Sequence, residues 1–191
     1  GSNLAATRVN QAGLIEKGRE NLLLQSDQFD TTWTTNSVSI TGSQAGYDGS
    51  NDAWKSTNIK PYGRIIQNVT SSGVSTFSIY AKAGNSPYFR MQFQSVGSDA
   101  YFNLSDGSVI KTEATIINAG TESVGNGWYR VFASVNEAIT DVRVVHTGAG
   151  GIGGGSTGDY FYIQNAQLEQ GLAATPYIET AATTAKAGVL E

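Results

Sequence analysis

Apolar and polar residues alternate one by one along several stretches of this chain. In "YFRMQFQSV" (88–96), Phe89, Met91 and Phe93 form one set, and Tyr88, Arg90, Gln92 and Gln94 form the other. Successive side chains of a β-strand point to opposite faces, so the first set predicts a core face and the second an outward face. Phe77, Ile79 and Ala81 oppose Ser78, Tyr80 and Lys82 in the same way, and Phe161 and Ile163 oppose Tyr160, Tyr162 and Gln164. In "GNGWYRVFASV" (125–135), Tyr129, Val131, Ala133 and Val135 share one face, while Trp128, Arg130, Phe132 and Ser134 share the other. The former set reads as core, which leaves Trp128 and Arg130 facing away from it. Around 63–68 the pattern is ambiguous, because Ile65 and Ile66 are adjacent.

Other stretches rich in β-branched and aromatic residues also read as strands. "NLLLQS" opens one at Asn21 and "FDTTWTTNSVSI" continues it. "GRIIQNVT" (63–70), "AYFNL" (100–104), "SVIKTEATII" (108–117), "DVRVVHT" (141–147) and "DYFYIQNAQLE" (159–169) follow. Turn clusters separate them at 72–73, 84–87, 97–99 and 125–127, and Asp106-Gly107 is the strongest hairpin signal. No segment sustains a helical period, and the weakly helical "AATTAKAG" (181–188) is too short to hold alone. Short strands at such spacing predict one all-β domain over 21–180, an antiparallel sandwich or barrel. Residues 1–20 read as a polar arm or a small hairpin turning at Gln11-Ala12-Gly13, and 181–191 as a tail. Gly1-Ser2 and Leu190-Glu191 read as cloning residues.

Composition narrows the function. Hydrophobic residues are 39% of the 191, enough for a sizeable core, yet only 15% are charged. Polarity is carried by Ser, Thr, Asn and Gln, which suits an extracellular or virion-type β protein. The net charge of −4, with no basic stripe, argues against nucleic acid, which needs clustered Lys and Arg. No cysteine is present, which removes disulfides, thiolate metal sites and Cys nucleophiles. No apolar run approaches the length of a membrane span.

Motifs for catalysis fail on context. "GAGGIG" (148–153) has dinucleotide-loop spacing, but a strand rather than a helix follows it, so nothing would hold a pyrophosphate. "GGSTG" (154–158) sets Ser156 in a nucleophile-elbow pattern, but the sole histidine, His146, lies upstream. The carboxylates open to glycoside chemistry, such as Asp99, Asp106, Glu113, Asp141 and Asp159, mostly sit at turns or strand ends. "YDGSNDAW" (47–54) begins like a calcium loop but has Ala53 where the turn glycine belongs and Ile59 where the bidentate Glu belongs. Asp48, Asn51 and Asp52 remain candidates for a structural Ca²⁺, with a metal-free Asx turn as the alternative.

The outward sets combine tyrosines, amides and cations, which suits a sugar. An aromatic ring offers an apolar face to the C–H side of a pyranose, and Arg, Gln and Asn serve its hydroxyls. The candidate contacts are Tyr88, Arg90, Gln92 and Gln94, with Tyr80, Lys82, Tyr160 and Tyr162 as neighbours. Trp54 and Tyr62, read as loop residues, would add a stacking platform. A merely solvated sheet face with rim tyrosines is the competing reading.

Four stretches stand in an order that resembles a known family: "ENLLLQSDQFDTTW" (20–33), "TFSIYAKAG" (76–84), "GNGWYRV" (125–131) and "GDYFYIQNAQLEQGLAATPYIET" (158–180). Together they resemble the jelly-roll domains, similar to carbohydrate-binding modules, of bacteriophage tail and other virion proteins. The resemblance runs from about Ala6 to Thr180, and "ATRVNQAGLIEKGRENLL" resembles the arm that leads into such domains. It implies a two-sheet jelly roll without catalysis, located on the virion, that binds extracellular polysaccharide or builds the particle. It also implies that the "NLL" strand lies beside the "AQLE" strand, that Glu169 serves architecture, and that "GWYR" is a scaffold element. Some relatives carry a structural Ca²⁺ near the chain ends. The expected function is therefore a non-catalytic glycan-binding module of a phage appendage. A structural domain of a tail fibre or capsid decoration, contacting other virion proteins through a homo-oligomer, is the alternative.

Overall fold

The computed structural model describes residues 7–9, 15–94 and 97–186. Its strands are β1 (Thr7–Val9), β2 (Ile15–Lys17), β3 (Glu20–Asn21), β4 (Thr34–Asn36), β5 (Val38–Gln44), β6 (Ala53–Asn58), β7 (Arg64–Ser71) and β8 (Val74–Ala83). They continue as β9 (Tyr88–Phe93), β10 (Ser98–Asn103), β11 (Ser108–Thr112), β12 (Ile116–Gly125), β13 (Trp128–Asn136), β14 (Ile139–His146), β15 (Tyr160–Gln170) and β16 (Ala185–Lys186). One six-stranded sheet has the order β11-β10-β9-β14-β7-β4 and the other β12-β13-β8-β15-β6-β5. Every pairing within them is antiparallel. The chain crosses from sheet to sheet at β7–β8–β9 and again at β13–β14–β15, so the architecture is the antiparallel two-sheet sandwich that the sequence predicts.

The alternating apolar sets meet between the sheets. Phe77, Ile79 and Ala81 of β8 and Phe161 and Ile163 of β15 oppose Phe89, Met91 and Phe93 of β9, all fully buried. Phe89 packs edge-on against Phe161 at 5.1 Å, and Phe77 against Phe93 at 6.4 Å. Each such side chain stabilises the fold by roughly 1.5–3 kcal/mol. The β7 ambiguity resolves with Ile65 inward and Ile66 on the other face. The "GNGW" turn is a two-residue hairpin: Gly125 pairs with Trp128, and Asn126 (φ 52) and Gly127 (φ 78) both take positive φ. That conformation matches the right-handed twist of the flanking strands, which explains Asn-Gly there.

Three strand expectations need correction. Residues 108–117 are not one strand: β11 and β12 are edges of different sheets. The turn at 113–115 carries the switch, with the Glu113 N–H on Asp99 O and the Ile116 N–H on Glu113 O. It contains no Gly or Pro, so nothing local marks it. Residues 22–33 are not strand either; they form turns that insert Leu23, Phe29 and Trp33 into the core. Conversely "AWKSTN" is strand β6, so Trp54 is no loop residue. The tail too enters a ladder, with Ala185 and Lys186 of β16 paired to β3. β1 and β2 pair antiparallel, and the turn expected at 11–13 lies outside the described residues.

The chain ends are bound to the sandwich by side-chain amides. The Asn21 amide donates to Ala166 O and Ile178 O, and the Leu22 N–H donates to Leu168 O, so the "NLL" and "AQLE" segments lie side by side. Past β15, residues 171–180 fold back as a strap. Arg130 donates to Ala174 O and Thr175 O, the Ile178 N–H to Gln167 Oε1, and the Thr180 N–H to Ser26 Oγ. The Tyr177 hydroxyl meets Ser26 Oγ at 2.6 Å.

His146, at the end of β14, is a core residue. Its ring stacks on Phe161 at 4.2 Å, and Nε2 meets Ser56 Oγ at 3.0 Å. Burial lowers its pKa from 6.5 to about 3. In the unfolded chain the imidazole takes its proton below about 6.5, whereas in the fold it stays neutral down to about 3. Stability is therefore whole above 6.5 and falls as pH drops through that window, by about 2 kcal/mol at pH 5 from this group alone. Urea denaturation of His146→Phe and the parent chain between pH 7 and pH 4 tests this. The variant should lose that part of the acid slope, and parallel pH curves would contradict it.

Candidate functional site

The outward residues of β8 and β9 do not share a surface. β8 belongs to one sheet and β9 to the other, so Tyr88–Gln94 and the group Tyr80, Lys82, Tyr160 and Tyr162 occupy opposite sides of the sandwich. The expectation that they are neighbours is corrected: adjacent strands in sequence cross between sheets here.

On the β9 side two arginines, Arg90 and Arg143, are paired with aspartates. Arg90 Nη2 lies 2.8 Å from Asp99 Oδ2, and its guanidinium lies 5.4 Å from the Tyr101 ring centroid. Arg143 holds Asp141 through Nε and Nη2 and donates Nη1 to Gln94 Oε1 at 2.9 Å. Gln92 is nearly covered between these pairs. Among the described residues, Arg90 Nε and Asp99 Oδ1 have no hydrogen-bond partner and are buried. Asp99 lies opposite Gln92 and Tyr101 opposite Arg90, so Asp99 sits diagonally across from Arg90 on the same face, whereas Asp141 and Arg143 are same-face neighbours two residues apart on β14. Arg90 and Gln94 are thus each engaged by a neighbouring side chain, and Gln92 is nearly covered. Tyr88 lines a separate recess of about 460 Å³ between the 85–88 turn and the glycine loop. Tyr62 packs at that loop, donating its N–H to Gly154 O, with its side chain about half exposed.

On the β15 side, one end of the sheet face is covered. Tyr47, from the β5–β6 loop, stacks flat on Tyr80 with centroids 3.8 Å apart and planes 4° apart. Tyr80 is consequently only 8% exposed, and its pKa is pushed up to about 12, chiefly by burial, with Arg130 opposing. A ring covered in this way has no free face for a sugar, so Tyr80 leaves the candidate set. Trp128, Ala53, Val124 and Tyr177 join the cluster, and Tyr162 packs against it from the open end. Trp54 leaves it as well: it points between the sheets, edge-on to Phe29, and donates Nε1–H to Asp27 O at 2.9 Å.

The loop 46–52 that carries Tyr47 spends its side chains on itself. Asp48 Oδ1 accepts the Ser50 N–H, and Gln164 Nε2 donates to both Asp48 oxygens and to Ser50 Oγ. Gln164 Oε1 accepts the Tyr47 N–H. Burial raises the Asp48 pKa, but the Ser50 and Gln164 hydrogen bonds outweigh it and hold the carboxyl below its usual range. Asn51 and Asp52 line a different recess, beside Trp54 and Gly42. Asp48, Asn51 and Asp52 therefore do not converge on one point, and the Ca²⁺ expectation gives way to the Asx turn. Among the described residues no group of three or more His, Cys, Asp or Glu side chains could hold a metal.

The other end of the β15 face is open. Gln44, Ala45, Lys82, Ala83, Gly84, Tyr160 and Tyr162 line a depression of about 400 Å³. The two tyrosine rings stand nearly perpendicular, 5.7 Å apart, and Lys55 Nζ lies 3.9 Å from the Tyr160 centroid. Cross-strand register builds this row: Lys55 pairs with Tyr162, Tyr162 with Lys82, and Lys82 with Trp128. Gly84 is required beside it, since a Cβ there would collide with the Tyr160 ring. Burial raises the Tyr162 pKa above its ordinary value. Of the sequence candidates, the structure brings together Lys82, Tyr160 and Tyr162. Lys55 and Gln44 were missed. The alternation Ala53-Lys55-Thr57 against Trp54-Ser56-Asn58 was the available signal for Lys55.

No family model matches the chain, and no curated protein matches it. Among solved structures it is similar to the CBM22-1 and GH10 modules of the Clostridium thermocellum endo-1,4-beta-D-xylanase 10B complexed with xylohexaose. That likeness has 10% identity and a TM-score of 0.44, covering 80% of this chain and 28% of that one. It is also similar to the enzymatically active domain of tailspike protein 4 of bacteriophage CBA120, at 13% identity and a TM-score of 0.43, covering 78% of this chain and 21% of that one. The chain thus spans under a third of either.

Proposed function

We propose that this domain is a non-catalytic glycan-binding module and that the sugar sits in the depression on the β15 face. The observation that carries this is the pair Tyr160 and Tyr162, projecting from one strand into an open concavity rimmed by Lys82 and Gln44. Concave sites with aromatic walls and a few polar groups are the usual form of small-ligand recognition. Tyrosine gives a sugar both an apolar ring face and a phenol. The paired arginines opposite would have to break an ion pair to bind, which makes that face the weaker candidate. Placement on a phage appendage is part of the proposal and rests on the order of the four motifs.

Binding to an array of bacterial surface polysaccharides is the test. Tyr162→Ala should weaken the retained glycan about 30-fold, equivalent to the ~2 kcal/mol of a central aromatic anchor. Arg90→Ala and Tyr88→Ala should leave it unchanged. The opposite pattern would move the site to the β9 sheet, and a folded chain that retains no glycan would end the reading.

A further inference from the structure

The arginines of the sandwich and the two lysines beside Tyr162 are held differently. Arg90 and Arg143 each lie 2.8 Å from an aspartate, and Arg130 is enclosed by strap carbonyls and Ser78 Oγ. Lys55 and Lys82 are not neutralised. They flank Tyr162 in register, two strand spacings apart, or about 10 Å between Cα positions. Among the described residues neither makes an ion pair; Lys82 lines the depression, whose other lining residues are neutral, and Lys55 lies beside it at Tyr160. Lys55 Nζ lies over the Tyr160 ring. Asp48, the acid of the loop 46–52, is already engaged by Gln164 and Ser50.

Resting on the glycan reading above, we propose that the ligand of this depression is an acidic glycan whose uronate carboxylates meet Lys55 and Lys82 while a sugar ring packs on Tyr162. The chain's net charge of −4 does not oppose this at contact. Salt limits charge effects to about 8 Å at physiological ionic strength, so the two local ammonium groups decide. Tyrosine between two lysines also sets the order of contacts: ring at the centre, carboxylates on either side. Lysine suits this role as a mobile point charge that follows a carboxylate without demanding bidentate geometry.

The experiment uses hexuronate-containing bacterial polysaccharides and the same polymers with their carboxylates chemically reduced to neutral hexoses. The full chain should retain the uronate forms and lose about tenfold in affinity on carboxyl reduction. Retention should also weaken as salt is raised. Lys82→Gln and Lys55→Gln should each erode the preference for the uronate form, with thermal unfolding showing that both variants fold. Equal binding of uronate and reduced polymers would overturn the charge assignment and leave glycan binding standing. Preference that survives both lysine changes would overturn the residue assignment. Binding to neither form, nor to any neutral glycan, would overturn this proposal together with the reading beneath it.

Discussion

Trp128→Ala should cost about 3–5 kcal/mol of folding stability, a large part of what a domain of this size possesses. Trp128 is the first residue of β13 and faces away from the main core, yet it is 1% exposed. It lies edge-on to Tyr47 at 6.4 Å, and the Tyr47–Tyr80 stack, Val124, Tyr162 and Tyr177 close around it. Those neighbours come from the β5–β6 loop, from β8, β12 and β15, and from the strap. An alanine there leaves a cavity that no single element can collapse to fill, because each is pinned by its own hydrogen bonds. Urea denaturation measures the loss. A cost under 1 kcal/mol would instead make Trp128 a rim aromatic, free to contact ligand. The result bears on binding too, since Lys82 pairs directly with Trp128.

The second large effect concerns the strap. Glu169 is 2% exposed, and its carboxylate accepts the Thr175 N–H at 3.0 Å, the Thr175 hydroxyl at 2.6 Å and Gln167 Nε2 at 2.6 Å. Removing it in Glu169→Ala leaves the Thr175 N–H and hydroxyl without this acceptor in a covered site, while Gln167 Nε2 keeps Thr175 O, at a cost of about 3 kcal/mol. Glu169→Gln, which retains one acceptor oxygen, should lose less. The diagnostic readout is local: amide hydrogen exchange at Thr175 and Ile178 should accelerate in Glu169→Ala more than exchange in β9 does. Unchanged protection at Thr175 would show that Arg130 and Asn21 hold the strap without the carboxylate.

This clasp accounts for the spacing of the C-terminal motif. In "AQLEQGLAATPYIET", Gln167 and Glu169 point out from β15 and grip Thr175 and Ile178, while Tyr177 and Thr180 reach Ser26 in "NLLLQS". The bulge in β15 makes room: Asn165 takes φ 51, the register shifts between Gln164 and Gln167, and the Asn165 amide donates to the Tyr47 hydroxyl. One irregular residue thus serves the loop on one side and the strap on the other.

What the sequence determined by itself was local. The two-residue period settled which side chains of β8, β9, β13 and β15 enter the core, because strand geometry sends every second one inward. Asn126-Gly127 and Asp106-Gly107 marked their hairpins because those residues accept the backbone that tight turns demand. The tertiary structure alone decided which outward faces join. Strand order comes from pairings across many residues, so it placed Arg90 opposite Asp99 on one sheet and Lys82 beside Tyr162 on the other. It also decided which outward residues stay outward: Tyr80 and Trp128 are covered by Tyr47 and Tyr177, far from them in the chain. Alternation assigns a face, but exposure depends on what else packs there, and here that left Tyr160, Tyr162, Lys55 and Lys82 partly exposed.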